Sequence, residues 1–374
     1  MHTLANAFAS VLLVLGGHQL PHDPPHHPPS RPPAPAPVAA ADREVTFVVD
    51  GTTTYGTVHV PRHRAGQHLP AALLLPGSGP TDRNGDQPAA GYTPHTLAYL
   101  ADQLGAQGIM SLRFDKYGTG ETGLGAYTGR ISDFDYAAQV RQAVAAYRLL
   151  AGQPEADRRA LSVLGHSEGG LTALLVAESG APRPAGVGLL QPLDERFLDL
   201  VRLQLGEALD GQVVAGTISV ADAATNKAGI DRATAQFRAG QPVDVTGLLP
   251  GIAAALNLFF GQVNGRYTRS IDAIDPSSVA SRLRSGTRVL VTCGTADPQV
   301  PCSTAPALVR ALHRAGTGGP GLVVLPGVDH DLRAGTAAQG LAPVAVAALR
   351  AFTAPWREPW RGGPGGTGVV GGHR

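Results

Sequence analysis

The stretch Leu161-Ser162-Val163-Leu164-Gly165-His166-Ser167-Glu168-Gly169-Gly170 constrains this chain more than any other. A short apolar run of strand length stops at Gly165, and a helical run of small and apolar residues, Leu171 to Ala177, starts just after Ser167. Between them stands G-x-S-x-G, here Gly165-His166-Ser167-Glu168-Gly169. A serine on a sharp strand-to-helix turn occupies strained backbone, and flanking glycines let strand and helix approach without a Cβ between them. Such a turn points Oγ away from the sheet. It also puts the next backbone N–H, that of Glu168, at a helix start, where unpaired donors favour negative charge. These are the parts of a nucleophile with half an oxyanion hole. Because a five-residue pattern recurs by chance, the strand before it and the helix after it carry most of the weight.

At 374 residues the chain has room for one large α/β domain with an insertion, or for two modest domains. A net charge of +1 with only 16% charged residues gives no electrostatic footprint for nucleic acid. Two cysteines, Cys293 and Cys302, lack zinc-ligand spacing, and no metal or other cofactor is expected. They read as buried thiols in a cytosolic chain and as a disulfide in an exported one.

Residues 1–17 carry a short apolar run, Val11 to Leu15, too short to span a membrane, and suit a cleaved export signal despite lacking Lys or Arg. From Pro21 to Pro37, nine of seventeen residues are proline, an extended and solvated spacer that suits a protein secreted or held off a cell surface. Order is expected from Asp42. Glu44–Asp50 and Thr54–Val60 form a hairpin across Asp50-Gly51, and Ala71–Leu75 has the unbroken apolar character of a strand buried on both faces. The pattern then gives a helix over Thr93–Gln107, a strand over Ile109–Phe114 and a helix capped by Ser132 that runs through Leu150. The Ser167 unit and a strand over Gly186–Leu190 follow. Alternation of this kind implies a doubly wound, mostly parallel sheet.

The rhythm breaks at Gln191-Pro192. Residues 191–286 read as helices only, with Phe197, Val201, Leu205 and Leu209 on one face and Ile252, Leu256, Phe259, Phe260 and Val263 on another. They suit a lid over the carboxyl edge of the sheet, where open α/β sheets bind ligands, or else a packed side layer. Alternation resumes with a strand at Arg288–Thr292, a helix at Thr304–Ala315, a strand at Gly321–Leu325 and a helix over Thr336–Phe352. The expected organisation is therefore 1–41 leader and spacer, 42–190 and 287–352 core, 191–286 helical lid and 353–374 glycine-rich tail.

A serine hydroxyl needs a base to take its proton and a carboxylate to orient that base. After Ser167, Asp297 lies in the loop following one strand and His330 in the loop following the next. Both hold the chain order Ser, acid, His. His166, Asp272, Asp275, Asp329 and Asp331 are less well placed for these roles. A second oxyanion donor is expected from the loop after Ala71–Leu75, with the Ser78 N–H between Gly77 and Gly79.

Together these residues resemble the α/β-hydrolase superfamily, and within it small esterases whose first loop reads H-G-S-G-P-x-D-R-D/N-G. Here that loop is Pro76-Gly77-Ser78-Gly79-Pro80-Thr81-Asp82-Arg83-Asn84-Gly85, with Pro76 in place of the histidine. A second turn, Arg113-Phe114-Asp115-Lys116-Tyr117-Gly118-Thr119-Gly120, resembles R-F-D-x-R-G-x-G with Tyr117 in place of arginine. The resemblance spans roughly residues 43 to 352. It implies a triad of Ser167, Asp297 and His330, an oxyanion hole at Ser78 and Glu168, no cofactor, and a small ester as substrate. The cysteines bracket the Asp297 loop, so a disulfide would hold the acid in place. Amide or thioester cleavage on the same fold, and a lidded binding protein without turnover, are the alternative expectations.

Overall fold

The computed structural model describes residues 36–180, 182–335 and 339–357. The expected export segment lies outside them, as do most of the spacer, the start of the expected Thr336 helix and residues 358–374 of the expected tail, whose first residues instead end a helix and form a 3-10 turn.

Eight strands form one sheet: β1 (Ala41–Val49), β2 (Thr52–Val60), β3 (Leu69–Leu75), β4 (Met110–Phe114), β5 (Ala156–His166), β6 (Gly186–Leu190), β7 (Arg288–Gly294) and β8 (Gly318–Leu325). Their spatial order is β8-β7-β6-β5-β3-β4-β2-β1, with β1–β2 and β2–β4 antiparallel and every other pair parallel. The expected mostly parallel, doubly wound sheet is therefore present. In the opening hairpin Val49 pairs with Thr52, so Asp50 and Gly51 alone make the turn, at φ 49° and 74°. Two consecutive positive φ values define the mirror-image turn whose twist matches the strands, and Asp-Gly tolerates it.

The unbroken apolar runs resolve into two faces because successive strand side chains point opposite ways. Leu73 and Leu75 of β3, Leu161 and Val163 of β5, and Val289 and Val291 of β7 pack with α2 (Tyr136–Ala151), α3 (Glu168–Glu178) and α9 (Pro306–Arg314). Ala72, Leu74, Leu164 and Leu290 face the other way, onto α1 (Thr96–Gly105) and α10 (Pro343–Thr353).

Several helix starts differ from expectation, α9 beginning at Pro306 and α10 at Pro343, with 339–342 outside the helix. Helix α2 begins at Tyr136, capped by Asp135, whose carboxylate accepts from Ala138 N at 2.9 Å; Ser132 sits in a preceding 3-10 turn. An aromatic cluster holds Phe134 outside the helix: its ring stacks on Tyr267 and meets Tyr117 and Tyr127 edge-on. Helix α1 starts at Thr96 rather than Thr93, because the Asp86 carboxylate accepts from His95 N at 2.7 Å and holds His95 at φ 56°.

Between β6 and β7 the chain is helical, as expected: α4 (Phe197–Val214), α5 (Val220–Arg238), α6 (Pro250–Phe260), α7 (Gly265–Asp272) and α8 (Pro276–Ala280). Leu209, Ile230, Ala233, Ile252 and Leu256 give α4–α6 a small core of their own, and Val263 is exposed instead of sharing it. By contrast Ile271, Val279, Ala280 and Leu283 belong to the core of the sheet, so α7 and α8 are part of its helical layer. The two regions are tied at buried Asp272, which accepts from Arg196, Arg238 and the Leu198 amide.

Candidate active site

Parallel pairing puts the carboxyl ends of β3 to β8 on one edge, and every expected site residue lies just beyond that edge. The chain runs from β3 to β4 on one side of β3, and β5 returns on the other. The crevice between β3 and β5 is thus the switch point at which open sheets bind ligands.

Ser167 stands between β5 and α3 at φ 55° and ψ −124°, a conformation that L-residues rarely adopt. Its carbonyl accepts from Gly170 N and Leu193 N, both at 2.9 Å, and its amide donates to Leu190 O. Glu168 is the first residue of α3, which puts its N–H among the unpaired donors of a helix start. On the other side of the crevice, a Cβ built on Gly77 would lie 3.1 Å from Ser167 Cβ and 3.6 Å from its Oγ, so the Gly77-Ser78 backbone runs beside the serine. The Ser78 carbonyl is held by Thr81 Oγ1 at 2.7 Å and Gln87 Nε2 at 3.1 Å. The loop also interlocks with the turn after β4: Arg83 N donates to Asp115 Oδ1 at 3.0 Å and its guanidinium meets Oδ2 at 2.8 Å. Tyr117 reaches Val49 O at 3.2 Å through its hydroxyl.

Asp297 and His330 follow β7 and β8, are both buried, and meet at 2.8 Å from Oδ2 to Nδ1. The other Asp297 oxygen accepts from Gln299 N at 2.8 Å and Val300 N at 3.0 Å, so the acid is held by its own turn. A disulfide between Cys293 and Cys302 closes that turn, with Cα atoms 5.3 Å apart. Helix α4 touches the turn as well, through Gln204 Nε2 on Gln299 O at 2.7 Å. The structure thus brings Asp297 to His330; among the described residues no hydrogen bond joins Ser167 Oγ to His330. Such contacts are often long without substrate and tighten when it binds.

Three features escaped sequence reasoning. His166 is buried beneath His330, with ring centroids 4.8 Å apart and Nε2 2.7 Å from the His330 carbonyl, so Nε2 carries the proton and donates. Burial and the neighbouring His330 push its pKa down from 6.5 to about 4. In the unfolded chain it takes up a proton near 6.5, so the stability it confers is present above that pH and is lost as pH falls toward 4. The gap corresponds to about 3 kcal/mol. His166→Gln, which keeps a donor toward His330 O, is expected to lose less stability than wild type between pH 7.5 and 4.5 in urea melts; equal losses would exclude the assignment. Second, Asp331 accepts from Tyr92 and, at 3.3 Å, from Thr96 Oγ1, tying the His330 loop to α1. Third, Lys116 and Glu168 are buried together below the serine turn. Only the third carried a local clue, a lysine inside an otherwise tight turn.

No group of three or more His, Cys, Asp or Glu side chains among the described residues is arranged to hold a metal ion. A cavity of about 600 Å³ opens among Phe237, Phe260, Arg266 and Arg269, and none of Ser167, Asp297 and His330 lines it.

No family model matches this sequence, and no curated protein matches it. Among solved structures, the acylaminoacyl peptidase of Pyrococcus horikoshii superposes with a TM-score of 0.53 at 11% identity, over 87% of this chain and 43% of that one. A puromycin hydrolase gives 0.52 at 19% identity, over 85% and 39%, and an esterase of Pyrococcus furiosus 0.51 at 13%, over 85% and 92%. The chain thus spans about two fifths of the first two and nearly all of the third. At these identities the likeness is one of fold. Strand order, the position of the serine turn and these likenesses together give this chain the α/β-hydrolase fold.

Proposed function

We propose that this chain is a serine hydrolase that cleaves carboxylic esters through an acyl-enzyme. The observation that carries the reading is the buried Asp297–His330 pair at the same sheet edge as the strained Ser167 turn. Ser167 Oγ attacks the acyl carbon as His330 Nε2 takes its proton, and the oxyanion forms against the Ser78 and Glu168 amides. Collapse expels the alkoxide, which leaves as the alcohol with the proton from His330. Water then gives its proton to His330 and attacks the acyl carbon, and Ser167 departs with that proton to release the acid. Asp297 keeps the imidazole in the tautomer that leaves Nε2 free to accept. Helices α4–α6 are rich in apolar side chains, Phe259 among them, and α4 touches the Asp297 turn, which favours an uncharged acyl or alkyl portion. Export accompanies this reading, since a Cys293–Cys302 disulfide persists in oxidising compartments and the N-terminal apolar run suits a leader.

The test uses p-nitrophenyl esters of graded chain length beside aminoacyl p-nitroanilides, together with a fluorophosphonate label mapped by peptide mass. Ester turnover with Ser167 labelled is expected. Turnover of the anilides alone would overturn the ester assignment in favour of an amidase. Neither turnover nor label would favour a binding protein.

A further inference from the structure

Lys116 stands in the turn after β4 with 3% of its surface exposed, and nothing in the acyl-transfer steps above uses it. Its Nζ donates to the Gly77 carbonyl at 2.5 Å and lies 3.8 Å from Glu168 Oε1. That carboxylate, 1% exposed, also accepts from Gln139 Nε2 at 2.7 Å and from the Tyr267 hydroxyl at 2.8 Å. Burial pushes the lysine pKa down and Glu168 opposes it. Removing two charges from water costs several kcal/mol per ion, and well-packed apolar residues often replace such pairs without loss of stability. Stability alone is therefore a poor reason for this pair to sit below the nucleophile.

Geometry offers a better one. The Gly77 C=O and Ser78 N–H are opposite ends of one planar trans peptide, so whatever holds the oxygen also sets the direction of the N–H. The oxygen is drawn toward Lys116, and the Gly77 end of the unit lies against Ser167. A cation on the carbonyl also polarises the amide, which strengthens the N–H as a donor. We propose that Lys116 is a positioning residue for the oxyanion hole: it clamps the Gly77 carbonyl so that the Ser78 N–H faces the developing charge, while Glu168, whose backbone supplies the other donor, holds the ammonium. One buried pair thereby ties together two donors that come from different strands of the sheet. This rests on the serine-hydrolase reading and deepens it.

The test compares Lys116→Met, Lys116→Gln and Lys116→Met/Glu168→Gln with wild type, using p-nitrophenyl butyrate as substrate and an alkyl trifluoromethyl ketone as a mimic of the tetrahedral adduct. The double variant guards against misfolding from an unpaired buried carboxylate, and thermal melts show which variants are folded. In folded variants kcat should fall about 10²-fold, the size of losing one oxyanion donor, with KM within about threefold. Ketone affinity should fall by a similar factor. Lys116→Gln, which keeps a neutral donor for Gly77 O, should lose less than Lys116→Met. A folded Lys116→Met or double variant with kcat within about threefold of wild type overturns the proposal, as does a lower kcat with unchanged ketone affinity. Ser167→Ala separates the two levels. If that variant still turns over the ester, the hydrolase reading and this proposal fall together; if it is dead and the Lys116 variants are not impaired, only the proposal fails.

Discussion

Ser167→Ala should lower turnover of any ester this protein accepts by at least about 10⁴-fold, with the melting temperature within a few degrees of wild type. The size follows from the proposed role: without Oγ no acyl-enzyme would form, and only oxyanion and binding contributions would remain. Each decade is about 1.4 kcal/mol of barrier, so the loss exceeds about 5 kcal/mol. Stability is spared for a separate reason. The hydroxyl makes no hydrogen bond among the described residues, and the turn is held by the Ser167 backbone, through Leu190 O, Gly170 N and Leu193 N. Alanine keeps the same Cβ, so the strain at φ 55° is unchanged. Steady-state kinetics on the best p-nitrophenyl ester, paired with a thermal melt, reads both quantities. More than about 1% residual turnover would place the nucleophile elsewhere.

Gly165→Ala should have the opposite profile and cost about 4 kcal/mol or more of stability. A Cβ at Gly165 would overlap the carbonyl of Gly169, and one at Gly169 would overlap the carbonyls of Leu75 and Pro76. All the obstructing atoms belong to backbone, in the first turn of α3, at the end of β3 and at Pro76 just after it, so no rotamer change relieves the clash. The start of α3 would have to move off the sheet, taking the Glu168 amide with it. Overpacking in a well-packed core usually costs about 1–3 kcal/mol, and clashes with fixed backbone lie at or beyond the top of that range. Gly211→Ala is the control: it lies within α4, nothing stands within 4 Å of its added Cβ, and helix propensity alone should stabilise by about 0.5–1 kcal/mol. Urea midpoints of the two variants should shift in opposite directions. Equal shifts would mean that the close approach at Gly165 is not rigid.

Both Ser167 and Gly165 belong to the part of the site that is legible in the order of residues alone. Strand-then-helix context around Gly165–Gly169, the Asp50-Gly51 hairpin and the unbroken apolar runs are local signals. Each element can therefore be read from a dozen residues or fewer. Asp297 and His330 are legible because a parallel sheet puts successive strand ends on one edge, whatever the strands contain. The start of α2 is not settled locally, because Ser132 and Asp135 are both good caps, and only the packing of Phe134 against Tyr267 selects the second.

By itself, then, the sequence determined the order of elements, the edge at which the candidate residues gather and the pairing of Asp297 with His330, since period and turn type depend on near neighbours. Tertiary structure decided the rest. The Lys116 contact with Gly77 spans 39 positions and the His166 contact with His330 spans 164. The membership of α7 and α8 in the sheet's own core is decided in the same way. Such contacts follow from how strands twist and loops close in space, and no local pattern of residues encodes those distances.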